Sequence, residues 1–329
     1  MHQPNWFVLV IVIALQAVPA RAEQSAFSSR SLTVGGIERS YLVRAPRSAL
    51  TKRAAVVVML HGHGGSAAGL VGQGRTRAAP YREWMQIADR ENIVLVAPDG
   101  LVGSDEKQGW KDCRADATTN PLSDDVGFLV ALLATLERDM AIDRRRVFVM
   151  GTSNGGHMAL RMAIEQPDKI AAVAAIVAAM PANSQCPAPK QFVPVLLMNG
   201  TADPLLPYTG GAIANNDARR GSVISTQESI DMWRQLSGAS PIPETKVLDD
   251  TNVEDRSRVT RLRYLKDGLP VAVLYRIEGG GHAEPSRQER YARFFTRMVG
   301  AQNGDIDMAE EVWQFFSAQS QRTPSTTAR

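Results

Sequence analysis

Cysteine is the scarcest reactive residue in this chain, with only Cys113 and Cys186 among 329 residues. So few soft ligands exclude a cysteine-built metal centre and a disulfide-dense scaffold. An excess of one charge is missing too: 37 Lys and Arg stand against 34 Asp and Glu, and the basic residues are scattered without a run or an aromatic-interleaved stripe. Nucleic acid is therefore not an expected partner. No GxGxxG occurs, and no Lys-Ser/Thr pair follows the glycine-rich turn HGHGG at residues 61–65. The nucleotide-binding fingerprints that would need them are absent. There is no internal repeat. The apolar run Trp6–Val18 is too short to span a bilayer comfortably.

What is present is an ordinary globular composition, 44% hydrophobic and 22% charged, enough for a sizeable core. Trp6–Val18 followed by Pro19, Ala20, Arg21 and Ala22 reads as a signal-peptide core with a small-residue cleavage site. The expected division is a signal peptide at residues 1–22, a catalytic domain at 23–318 and a disordered tail at 319–329, with the mature protein secreted or periplasmic. An uncleaved membrane anchor is the other reading of the leader. In an exported chain the two cysteines can form a disulfide; two free buried thiols are the alternative.

Strands and helices alternate along the chain. SLTVGGIERSYLVRA reads as a hairpin closed by Gly35 and Gly36. The runs at residues 54–60, 93–97, 147–150, 170–177 and 193–198 are uniformly apolar, as strands covered on both faces must be. Helices are expected at residues 84–90, after Asp124 and Asp125, after the GTSNG turn, at 223–236, 287–297 and 308–316, and further strands at 260–265 and 271–277. The pattern predicts a doubly wound, mostly parallel α/β sheet with ligands beyond the carboxyl ends of its strands. The 177–193 connection leaves no room for a separate cap domain.

The chemistry is concentrated at those strand ends. GTSNG places Ser153 at the tip of a strand-to-helix reversal, where Gly151 and Gly155 allow the chain to pass close to itself. The following helix presents free N–H groups to any oxyanion formed there. Of the five histidines, His2 lies in the leader and His157 on the elbow helix; His282, in the loop GGGH after a late strand, is the expected base. Asp203, in NGTADP, is the expected acid, giving the order Ser, Asp, His; Asp99 would stand in the wrong order. The backbone N–H groups of His63 and Asn154 are the expected oxyanion donors. His61 reads as a hydrogen-bonding anchor for its turn, and no third donor makes His61 and His63 a metal site. Neither metal nor cofactor is expected.

The motifs HGHGG, DDVGFL, GTSNGG, NGTADPLLPY and GGGH, in this order, resemble the polyhydroxybutyrate depolymerase and feruloyl esterase group of α/β-hydrolases, related to carbohydrate esterase family 1. The resemblance spans about residues 31–316. It implies a secreted serine esterase with Ser153, Asp203 and His282 as triad, acting through an acyl-enzyme on polyhydroxybutyrate-type or feruloyl and acetyl polysaccharide esters. It also implies Trp110 as a wall for the acyl group and a Cys113–Cys186 bridge between two loops at the cleft mouth. Where related sequences often carry an aromatic residue and Pro after the base, Ala283 and Glu284 precede Pro285 here. A serine peptidase, or a non-catalytic polymer-binding protein on a hydrolase scaffold, are the competing readings.

Overall fold

The run AAVVVML forms a central strand whose alternate residues enter opposite cores: Val56 and Val58 pack on one face of the sheet, Val57 and Met59 on the other. That double burial is why the run contains no polar residue. The computed structural model describes residues 26–74, 79–213 and 217–320. Its main sheet has strands β1 (Ser28–Val34), β2 (Ile37–Arg44), β3 (Ala54–Leu60), β4 (Ile93–Pro98), β5 (Ile142–Thr152), β6 (Ala172–Ile176), β7 (Val195–Gly200), β8 (Glu244–Val247), β9 (Arg258–Lys266) and β10 (Leu269–Glu278). Their order is β1-β2-β4-β3-β5-β6-β7-β10-β9-β8. The block from β4 through β10 is parallel, and antiparallel pairs extend it at both ends.

Besides the single turn Ala67–Leu70, the α-helices among the described residues are α1 (Trp84–Glu91), α2 (Asp125–Asp139), α3 (Asn154–Glu165), α4 (Thr226–Ser237), α5 (Arg293–Val299) and α6 (Met308–Gln319). Leu129, Leu132 and Leu136 of α2, Met158 and Met162 of α3 and Trp233 of α4 cover one face of the sheet. Trp84 and Ile87 of α1 and Val312 and Phe316 of α6 cover the other, where Phe316 stacks on Phe148 with ring centroids 4.6 Å apart. Burying each such side chain contributes roughly 1.5–3 kcal/mol.

Three expectations move. α4 begins at Thr226 rather than near Val223, because Ser225 and Glu228 form a reciprocal capping box there. In place of a helix over 287–297 only α5 forms: Tyr291 N–H donates to Gln302 Oε1 and Ser286 Oγ accepts from Gln288 and Glu289 N–H, so 286–292 is tied down as a turn. The polar segment after α4 contains the unforeseen edge strand β8, fully exposed and held by pairing to β9, with Glu244 opposite Arg263. Nothing in its own hydrophobicity marks it, because the pairing partner supplies the stabilisation.

The expected signal peptide lies outside the described residues, as does 321–329. α6 continues to Gln319, which is buried and donates to Pro270 O at 2.7 Å, so the expected boundary at 318 falls inside the helix. No helix among the described residues is long and apolar enough to cross a membrane. There is no separate cap among the described residues. Instead, two small strand pairs rise at the carboxyl ends, Leu101–Val102 with Gln108–Gly109 and Gly211–Ala212 with Ser222–Val223.

Candidate active site

Ser153 sits between β5 and α3 with φ 55° and ψ −120°, a conformation L-residues rarely adopt. The glycines around it are required by contact. A Cβ on Gly155 would lie 2.2 Å from Leu60 O, and one on Gly151 would lie 2.4 Å from Gly155 C. A side chain at Gly155 would push β3 away from the elbow, and one at Gly151 would push the start of α3 away.

Asp203 follows β7 and His282 follows β10, so two parallel neighbours bring residues far apart in sequence together. Asp203 Oδ1 accepts N–H bonds from Leu205 and Leu206 at 2.7 and 2.8 Å, while Oδ2 lies 2.7 Å from His282 Nδ1. An ionised carboxylate only accepts, so it places the proton on Nδ1 and leaves Nε2 with its lone pair. Ser153 and His282 both line a cleft of about 640 Å³. The Ser153 hydroxyl forms no hydrogen bond among the described residues.

Of the two expected oxyanion donors, His63 lines the cleft together with Ser153, and Asn154 follows Ser153 at the start of α3. Asn154 opens α3, so no carbonyl stands one turn earlier to take its N–H. His63 N–H likewise has no protein acceptor among the described residues, and the turn carrying it is held by Gly64 N–H to Gln108 O at 2.7 Å. His61 anchors this turn from beneath: Nδ1–H donates to Gly62 O at 2.8 Å and Nε2 accepts from Gly100 N–H at 2.9 Å. Both ring nitrogens are thereby engaged, which removes His61 as a metal ligand. The His63 ring bonds Asp105 at 2.8 Å, yet burial, reinforced by Arg220, lowers its pKa to about 4. It is neutral at pH 7. His157 points away, its Nδ1 bonded to Ala179 O, and burial lowers its pKa to about 3.

Trp110 corrects the expectation of an acyl wall. It is completely buried and does not line the cleft; its indole N–H donates to His61 O at 2.9 Å, and its ring lies 5.1 Å from that of His61. Its apolar bulk finds more burial under the turn than at the mouth. Its backbone N–H donates to Asn154 Oδ1 and its carbonyl accepts from Asn154 Nδ2.

That clasp leads to a group the sequence did not reveal. Buried Asp112 accepts from Asn154 Nδ2 at 2.7 Å, from Asn120 Nδ2 at 3.1 Å and from the Arg114 guanidinium. Burial alone would raise the Asp112 carboxyl, but Arg114 overcomes it and holds the pKa at about 2. Asn154, the residue after Ser153, is thus clamped by an ionised pair. Next to it Cys113 is bonded to Cys186, tying this segment to the 181–192 loop. Glu165 also approaches the two sulfurs, but with the sulfurs bonded to each other the three make no metal site.

The cleft walls come from loops. One carries Asp105, Lys107, Asp217, Arg219 and Arg220 on the two small strand pairs; the other carries Tyr81, Glu284, Tyr291 and Phe295. Tyr81 bonds Thr152 Oγ1, beside Ser153, at 2.8 Å. No periodicity or motif marks these positions.

The sheet order and this convergence of strand ends agree with the comparisons. The family model for phospholipases and carboxylesterases matches residues 45–220, more than half of the chain. The chain belongs to the phospholipase/carboxylesterase family. It is an esterase of the α/β-hydrolase fold, of feruloyl-esterase-like type. Feruloyl esterase D of Neurospora crassa is 28% identical over 324 residues, 94% of this chain and 96% of that protein. NocK of Nocardia uniformis subsp. tsuyamanensis, which carries an esterase name, is 29% identical over 300 residues, 88% of this chain and 82% of its own length. Among solved structures, acetyl xylan esterase from Aspergillus awamori matches with a TM-score of 0.55 at 14% identity, covering 88% of this chain and 99% of that one, a likeness of fold.

Proposed function

We propose that this carboxylesterase-family chain is an exported serine esterase that cleaves esters borne on a polymer, of the feruloyl, acetyl-polysaccharide or polyhydroxybutyrate kind. The observation that carries the reading is the Asp203–His282 couple at 2.7 Å, whose imidazole lines the same cleft as a serine with φ 55°. Ser153 Oγ attacks the ester carbonyl while His282 Nε2 takes its proton. The oxyanion is held by the His63 and Asn154 N–H groups, and Asp203 stabilises the imidazolium without taking the proton. His282 then protonates the departing alcohol oxygen, leaving an acyl-Ser153 ester. Water, deprotonated by the same imidazole, hydrolyses it.

A cleft without a cap suits a chain too large to be enclosed, and the names of the relatives, feruloyl esterase and acetyl xylan esterase, point to polysaccharide esters. The leader and the bonded cysteine pair favour an oxidising compartment, with no nucleic acid partner and no membrane attachment of the mature form. Ser153→Ala is expected to lower kcat by roughly 10⁶ and Asp203→Asn by about 10⁴, measured on p-nitrophenyl acetate. Near wild-type turnover by the alanine variant would refute the assignment. A panel of feruloyl, acetyl, short aliphatic and 3-hydroxybutyrate oligomer esters ranks the acyl groups, and sequencing the exported protein is expected to find a start near Glu23.

A further inference from the structure

Glu284 is a carboxylate that the triad does not use, two residues beyond the base. It is only 7% exposed, yet it lines the cleft together with Ser153 and His282. No Lys or Arg pairs with it among the described residues. One oxygen, Oε2, accepts the Tyr291 hydroxyl at 2.6 Å. The other, Oε1, has no partner among the described residues and is not sealed from solvent. The loop is fixed independently of that oxygen, since Gln302 Nε2 donates to Glu284 O at 2.9 Å and to Glu289 O at 3.0 Å.

A buried carboxylate without a cation is costly unless donors reach it. The protein supplies one donor to Oε2 and none to Oε1, so a second must come from what occupies the cleft that Glu284 lines. The surroundings limit what that is. Tyr81, Tyr291 and Phe295 line the same wall, the rings of the last two 4.9 Å apart, with Leu70 and Leu205 beside them. Burial, and then the charge of Glu284, push the Tyr81 and Tyr291 hydroxyls up, so both stay protonated.

We infer that Glu284 is a specificity-determining residue: its free oxygen accepts a hydrogen bond from a hydroxyl on the ester substrate, with Tyr291 holding the carboxylate in place. This deepens the serine esterase reading and rests on it. The hydroxyl can belong to the acyl group or to the alcohol being released, and matched substrates separate the two. Ethyl 3-hydroxybutyrate against ethyl 3-methoxybutyrate varies the acyl side; 2-hydroxyethyl acetate against 2-methoxyethyl acetate varies the alcohol side. A methoxy oxygen cannot donate.

The informative substitution is Glu284→Gln in the full chain. The amide oxygen still accepts from Tyr291, but an NH₂ replaces the open acceptor. For the wild type, kcat/KM is expected to favour the hydroxyl ester in one of the two pairs by about tenfold or more, the range of a hydrogen bond to a charged group. In Glu284→Gln that ratio is expected to fall to near unity, because kcat/KM falls more for the hydroxyl ester than for its methoxy partner. The same ratio in both proteins overturns the inference, as does a wild type indifferent to hydroxyl and methoxy in both pairs. Loss of p-nitrophenyl acetate turnover together with the ratio would make Glu284 a structural residue, and preference for the 2-aminoethyl ester over the 2-hydroxyethyl ester would make it a cation site; either overturns it. A wild type inert towards every ester, p-nitrophenyl acetate included, instead refutes the esterase reading beneath it.

Discussion

The floor and the walls of the cleft are built on opposite terms. On the floor, β3, the elbow and the 110–114 segment meet at distances that admit no extra carbon, and His61, Trp110, Asp112 and Asn154 are buried with their bonds directed at one another. On the walls, side chains hang from short strand pairs and turns, and ion pairs such as Arg219–Asp217 and Arg82–Glu289 stand largely in solvent. Such exposed pairs contribute little, about 0–1 kcal/mol each. The proposed ester cleavage needs two N–H groups and an imidazole held to fractions of an ångström, which a close-packed, fully bonded floor supplies. The choice of ester needs surfaces that can differ between relatives without disturbing that floor.

The contrast can be broken most sharply at Asp112. Asp112→Asn removes the carboxylate that balances Arg114 and holds Asn154, leaving a buried guanidinium uncompensated. A loss of 3–5 kcal/mol is expected, read as a lowered denaturant midpoint, with impaired turnover of every ester alike. A stable variant with altered preference between esters would place Asp112 among the wall residues instead.

Acid should also unsettle the floor. The pKa values of His61, His63 and His157 are all lowered by burial, so the unfolded chain takes up protons below pH 6.5 that the folded chain refuses. Stability is therefore present above pH 6.5 and lost as pH falls toward 4. Glu83 works the other way: burial raises its pKa to about 7, and its contribution is lost as pH rises from 4.5 to 7. The three histidines outweigh Glu83, so a net fall in stability is expected as pH drops through this window, measured by urea unfolding at successive pH values. A flat profile between pH 6.5 and 4.5 would contradict the buried, neutral histidines.

The smallest effect tests the correction at Trp110. Trp110→Phe keeps most of the buried bulk and loses the N–H bond to His61 O, costing about 1 kcal/mol and leaving relative rates among acyl groups unchanged. A reordered acyl preference would return Trp110 to the cleft wall.

Much of the floor was legible because its constraints are local. Gly151 and Gly155 flank Ser153 at fixed spacing, the apolar runs announce strands buried on both sides, and Asp203 and His282 stand just past two such runs. The walls were not. Glu284, Tyr291 and Tyr81 meet only because β10 and the turn before α1 end at the same side of the sheet, and Trp110 looks no different in sequence whether it faces substrate or core.

The order of residues therefore determined the fold, the strained serine and the succession of Ser153, Asp203 and His282 at strand ends, since each follows from short-range sterics and from hydrophobic periodicity along one segment. Only the tertiary structure decided that Trp110 is buried, that Asp112 grips Asn154 and that Glu284 opens onto the cleft. Which side of a loop faces water depends on what the rest of the sheet brings against it, and no local pattern carries that information.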